Sequence, residues 1–117
     1  MALTILTATI SKGTALSNAI QITGAPVVRL IMPTPWDYAG GVSFQCSPDG
    51  VTFRDLFDTA AGELVMKVEP GVEVWIGTPR FAITNTYLKI RSGTRAKPVN
   101  QSADRVFQII LDPNAMK

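Results

Sequence analysis

Histidine is absent from this chain, and cysteine occurs once. The first absence removes the commonest general base and the commonest metal ligand. The second excludes an internal disulfide and leaves Cys46 with no histidine to activate it as a nucleophile. Charge is also sparse: Asp, Glu, Lys and Arg make up 17% of the residues. That is low for a domain whose whole surface must stay hydrated, so part of the surface is expected to lie under a partner. A net charge of +2 is too small for the basic stripe of a nucleic-acid-binding protein. No apolar run approaches the length of a membrane-spanning helix. The opening MALTILTATI lacks the charged start and long apolar stretch of a signal peptide, so synthesis and assembly in a cytoplasm are expected. There is no P-loop and no dinucleotide fingerprint.

What the chain does have is β-patterning. With 117 residues, 46% of them hydrophobic, it can bury one core, and a single domain over 1–117 is expected. The clearest stretch is 35–58, PWDYAGGVSFQCSPDGVTFRDLFD. Val42, Phe44 and Cys46 alternate with Ser43, Gln45 and Ser47, the period of a half-buried strand. Residues 52–57 form a second candidate strand, and Asp49-Gly50 between the two runs predicts a hairpin closed by a tight type I′ turn.

Further strands are predicted over 3–10 (Leu3, Ile5 and Thr7 sharing a face), 19–22, 27–32, 63–69, 72–76, 86–92 and 105–111. Residues 15–19 read as a short helical turn, 80–85 as extended loop or strand, 93–103 as a long polar loop, and 112–117 as a tail that stays mobile unless a partner holds it. Turn residues punctuate these runs at roughly 8–12-residue spacing. The expectation is an all-β domain: a single antiparallel β-sandwich, jelly-roll-like, of about eight strands.

Few residues offer chemistry. Cys46 reads as a small core hydrophobe. Asp49, Asp55 and Asp58 are hard oxygen ligands, but they lack a recognisable calcium-loop spacing, so neither metal nor cofactor is expected. Trp36, Tyr38 and Trp75 either cover the sandwich ends or form an aromatic platform for a sugar or a protein. Trp75, out of phase with Val74 and Ile76, is the better placed for a partner. Arg91, Arg95, Lys97 and Arg105 bracket the polar loop, which is either solvated or docks on an acidic surface. The segment Ser47-Pro48-Asp49-Gly50-Val51-Thr52-Phe53 is similar to the Asp-box hairpin of sialidases, a structural motif there, though it is one residue short and has Phe53 in place of the usual Trp.

Pro35-Trp36, Val42-Ser43-Phe44-Gln45, the Ser47–Phe53 hairpin, Leu88-Lys89-Ile90-Arg91-Ser92-Gly93-Thr94 and Pro98-Val99-Asn100-Gln101 occur in this order. Over nearly its whole length the chain thereby resembles a family of small phage and prophage structural proteins. The resemblance implies a virion component of a tailed phage, without catalytic residues. The station it implies first is capsid decoration (cement) on the major capsid protein, as a homo-oligomer with a trimer favoured, touching neither nucleic acid nor membrane. The alternative is a carbohydrate-binding or structural module of a tail or fibre. The contact segments expected are the first strand, the loop 36–41 and the loop 93–103, with Trp36, Tyr38, Trp75, Arg91, Arg95 and Lys97 as contact residues.

Overall fold

Alternating apolar and polar residues build two stacked antiparallel sheets. The computed structural model describes residues 3–37, 41–59, 62–76 and 86–114. Its strands are β1 (Thr4–Ile10), β2 (Ile20–Ile22), β3 (Val27–Ile31), β4 (Val42–Ser47), β5 (Arg54–Asp55), β6 (Phe57–Asp58), β7 (Gly62–Glu63), β8 (Val65–Met66), β9 (Glu73–Trp75), β10 (Thr86–Ser92) and β11 (Arg105–Leu111). One sheet has the order β1-β11-β3-β9. The other runs β2-β10-β4, with β5 and β8 both paired to the far side of β4, and β6 and β7 form a separate ribbon. Every pairing is antiparallel. The chain passes from sheet to sheet at β1, β2, β3 and β4, and again at β9, β10 and β11. With β5 and β8 sharing one position, this is the strand order of a jelly roll. None of the described residues is helical.

The inward faces supply the core. Phe107, Ile109 and Leu111 of β11 meet Leu88 and Ile90 of β10, Val42 and Phe44 of β4, Ile22, Leu30 and Ile10, all of them buried. Leu3, Ile5 and Thr7 do share a face, but it is the outward one, and Leu6, Ala8 and Ile10 of β1 turn to the core. Leu64 and Val68 are buried as their alternation predicts, while the run 63–69 is broken into β7 and β8 rather than forming one strand. Residues 15–19 are not a helical turn. Ser17 bridges to Ile10 and Leu16 to Arg91, stitching this segment between the sheets.

The far edge of β4 contains an insertion. Gln45 pairs with Asp55 and Cys46 with Arg54, so the same register would bring Phe57 opposite Ser43. Val65 is there instead. The chain therefore leaves the β4 edge after Leu56 and forms the β6–β7 ribbon before the edge resumes in β8, and Leu56 and Leu64 close the ribbon's base through Leu64 N–H to Leu56 O (2.9 Å).

The predicted hairpin at Asp49-Gly50 exists, but its connection is the six residues 48–53 rather than a two-residue turn. The polar loop 93–103 is tighter than expected. Gly93 bridges to Pro98, and Thr94 N–H bonds Lys97 O (3.2 Å), so only 94–97 project. At the C-terminal end, Asp112 N–H bonds Pro26 O (3.2 Å) and ties the start of the expected tail to the body. Residues 80–85 and 115–117 lie outside the described residues.

Candidate interaction surface

A polar cluster on the second sheet's outer face is closed on itself. Arg91 and Ser43 are register partners on β10 and β4. Arg91 is only 7% exposed, because the β6–β7 ribbon brings Glu63 over it. Its Nε donates to Ser43 Oγ (2.8 Å), Nη1 to Asp55 Oδ1 (2.6 Å) and Nη2 to Glu63 Oε2 (2.7 Å). Arg95 closes the cluster: its backbone N–H donates to Glu63 (2.8 Å), its Nε lies 3.3 Å from Asp55 Oδ2, and its guanidinium sits 5.3 Å from the Phe57 ring centre. The Arg91 hydrogen bond, with the two guanidinium charges behind it, holds the Asp55 carboxyl below its usual range. Two cations and two carboxylates thus neutralise each other.

A second network closes one end of the sandwich. Gln101, fully buried, accepts from Arg105 Nε (3.0 Å) and Asp37 N–H (3.2 Å) and donates to Ser92 Oγ (2.7 Å). Its backbone N–H and C=O bond Thr14 O and Gly13 N–H. Arg105 Nη2 also reaches Asp37 Oδ1 (3.1 Å), and Asp37 Oδ2 accepts from Ser102 N–H. The Ser102 amide is the main cause of a lowered Asp37 pKa, with Arg105 contributing. Nothing in the sequence but the PVNQ run marked Gln101.

The hairpin 48–53 is pinned by two side chains. Asp49 Oδ1 accepts from Ser47 Oγ (2.7 Å), Val51 N–H (2.9 Å) and Thr52 N–H (3.1 Å), while Ser47 Oγ accepts from Gly50 N–H (2.9 Å). These donors, Ser47 foremost, lower the Asp49 pKa to about 2. The side-chain pinning that the Asp-box likeness suggested is present.

These networks correct two of the expected contact residues. Trp36 is 8% exposed and packs edge-on against Phe107 (centroids 5.4 Å, planes 80° apart), so it belongs to the core. Arg91 is buried and neutralised, so it has no charge left to offer an acidic partner. Tyr38 lies outside the described residues. Arg95 and Lys97 are exposed on the 94–97 turn, with Arg95 already drawn onto Asp55. Cys46 is half-buried against the core, and burial pushes its thiol up to about 11, leaving it protonated at neutral pH and a poor nucleophile. Among the described residues no three His, Cys, Asp or Glu are grouped to hold a metal ion, and no helix is long and apolar enough to cross a membrane.

Of the exposed large apolar side chains, Val51 stands on the 48–53 hairpin and Phe57 and Val65 at the far edge of the second sheet, while the larger group, Leu3, Ile5, Val106 and Trp75, shares the outer face of the β1-β11-β3-β9 sheet. Register aligns Ile5, Ile110, Arg29 and Trp75 in one row across all four strands. Thr7, Gln108, Ile31 and Glu73 form the next row, and Thr9 and Val106 the third. Trp75 is 76% exposed, Ile5 57%, and Leu3 and Val106 about half. The charges on this face, Arg29 and Glu73, pair with each other (3.3 Å). The face thus carries exposed apolar side chains at both of its edges, and its ion pair lies on β3 and β9 beside Trp75. Sequence pattern found Trp75 but could not find this face, because which face of β1 turns outward and which strands lie beside Trp75 follow only from register and layer.

No protein-family model matches the chain, nor does any curated protein or any solved structure. The geometry therefore carries the functional argument together with the likeness of motifs described above.

Proposed function

We propose that this chain is a non-enzymatic structural protein of a tailed-phage virion, a decoration or cement protein that binds the major capsid protein of the assembled head. The observation that carries the reading is the outer face of the β1-β11-β3-β9 sheet, where Leu3, Ile5, Val106 and Trp75 stand exposed while the described charge networks are satisfied internally. A soluble monomer gains nothing from such a face, whereas a docking protein buries it. A ligand that binds only the assembled lattice stabilises that lattice by mass action. A jelly roll with pinned loops suits the task, since it presents its contacts on a rigid frame.

The test mixes purified protein with expanded heads lacking it, sediments them, and counts bound copies per capsid subunit. Saturation at a lattice-like stoichiometry, weakened by Trp75→Ala, is expected. Protein that stays in the supernatant at every ratio would overturn the reading and turn attention to the tail or fibre alternative. The three-ring sugar platform on which that alternative rested has lost Trp36 to the core.

A further inference from the structure

The longest edge strand among the described residues is β1, seven residues at the rim of its sheet. The other sheet edges are blunted: β9 and β2 have three residues each, and β5 and β8 two. Proteins protect long edges with lysine, proline or a bulge. Residues 4–10, TILTATI, contain no charge and no proline, and β1 pairs with β11 one residue to one without a break.

The polarity of this edge follows from Thr9. Its N–H donates to Asn18 Oδ1 (2.8 Å) and its C=O accepts from Asn18 N–H (3.2 Å), so Thr9 turns its backbone groups away from β11. In an antiparallel ladder this alternates. Thr7, Ile5 and Leu3 therefore also aim N–H and C=O outward, and no backbone partner meets them among the described residues. Asn18 closes the edge at Thr9, and among the described residues nothing closes it from Leu3 to Thr7.

We infer that this open edge is a self-pairing surface, occupied by β1 of a second copy in antiparallel register centred on Ile5. In that register Ile5 faces Ile5 of the partner subunit, and Leu3 and Thr7 each face the other's counterpart. About six backbone hydrogen bonds close between two such segments. Any register shifted toward Thr9 runs into Asn18. The uncharged run brings no like charges together, which is why a second copy fits here. The side chains of Leu3 and Ile5, exposed in one copy, cover each other at the seam. A pair of identical edges closes at two copies, in place of the trimer that the family resemblance implied. Its two-fold axis is normal to the sheet, so both outer faces point the same way and become one eight-stranded face.

Sedimentation velocity and light scattering across a concentration series test this. The wild type is expected to shift from monomer to dimer as concentration rises. Ile5→Lys places a charge at the axis, and Thr7→Pro removes an outward N–H that no bond among the described residues uses, so both should remain monomeric with the melting curve of the dilute wild type. Val51→Lys, at the distant hairpin tip, should dimerise normally. In a Cys46→Ala background, Ile5→Cys should oxidise to a cross-linked dimer, whereas Thr7→Cys should not, because Thr7 does not face itself. A wild type that is monomeric at every concentration, or trimeric, overturns the inference. So does a dimer that survives both edge variants, or a cross-link formed by Thr7→Cys and not by Ile5→Cys. Protection of the β1 amides from exchange only when heads are added would assign the edge to a capsid strand and equally overturn self-pairing.

Discussion

Arg91 and Ser43 stand opposite each other on β10 and β4, and Arg91 Nε donates to Ser43 Oγ at 2.8 Å. This pairing turns the guanidinium along the outer face of the sheet, where Asp55 and Glu63 take its two terminal nitrogens. The cluster is what anchors the β6–β7 ribbon, since Glu63 belongs to that ribbon and Arg91 to the sheet beneath it.

Arg91→Leu should accordingly destabilise the fold by about 3 kcal/mol or more, because it leaves two carboxylates side by side without their buried cation. Urea denaturation measures this directly. Arg91→Lys should rescue only part of the loss, since an ammonium cannot serve Ser43, Asp55 and Glu63 from three points of one plane. Adding Asp55→Asn and Glu63→Gln to Arg91→Leu should recover stability by removing the repulsion. An Arg91→Leu midpoint equal to wild type would show that the cluster contributes nothing.

Acid stability follows from three carboxylates. Asp37, Asp49 and Asp55 have folded pKa values below their ordinary 3.8, Asp49 at about 2. A carboxylate depressed by folding stabilises the native state above its unfolded pKa, and that contribution fades as pH falls toward the folded value. Thermal melts should therefore be flat from neutral pH down to about 5, since no histidine titrates there, and then fall between about 4 and 2. Asp49→Asn should melt lower at neutral pH and lose less on acidification. A drop already complete between pH 7 and 5 would contradict this assignment.

Gly93 and Gly62 separate two costs of a side chain. Both have positive φ, +87° and +85°. A Cβ on Gly62 would meet nothing within 4 Å, whereas on Gly93 it would lie 2.3 Å from Lys97 O. Gly62→Ala should cost about 1 kcal/mol of backbone strain. Gly93→Ala adds a collision with backbone and should cost at least about 2 kcal/mol more than that. Equal denaturation midpoints for the two variants would mean that the 94–97 turn can move aside.

The layer of each strand was legible where alternation met solvent on one side only. Phe107, Ile109 and Leu111 face inward as their spacing demands, and Trp75 faces out. The pattern misled where both sides are covered or the core side is the less obvious one. Ser43 and Ser47 look like solvent-facing residues, yet both are buried, under Arg91 and within the Asp49 hairpin. In β1 the spacing puts Leu3, Ile5 and Thr7 on one face without saying which, and Leu6, Ala8 and Ile10 fill the inner one. The charge clusters were hidden for a different reason. Arg91, Asp55 and Glu63 come from three strands, and the departure of the chain from the β4 edge, which no local pattern announces, is what brings Glu63 to the arginine.

The two tryptophans now make opposite predictions. Trp36 packs on Phe107 in the core, although its Nε1–H finds no acceptor among the described residues. Trp36→Ala should cost about 3–5 kcal/mol through the cavity it leaves. Trp36→Phe should cost much less, because it removes an unpaired buried donor along with part of the ring. Any weakening of head binding by Trp36→Ala would then track unfolding and disappear when the folded fraction is taken into account. Trp75 lies on the outer face in the row of Ile5, Ile110 and Arg29, so Trp75→Ala should change stability by no more than about 0.5 kcal/mol. Its effect should fall on docking alone, as a loss of affinity of tenfold or more if the ring is a buried anchor at the interface. Denaturation midpoints and head-binding isotherms on the same two variants decide the matter. Should Trp75→Ala bind heads as the wild type does, the outer face of the β1-β11-β3-β9 sheet would not be the docking surface, and the exposed turn carrying Arg95 and Lys97 would become the place to look.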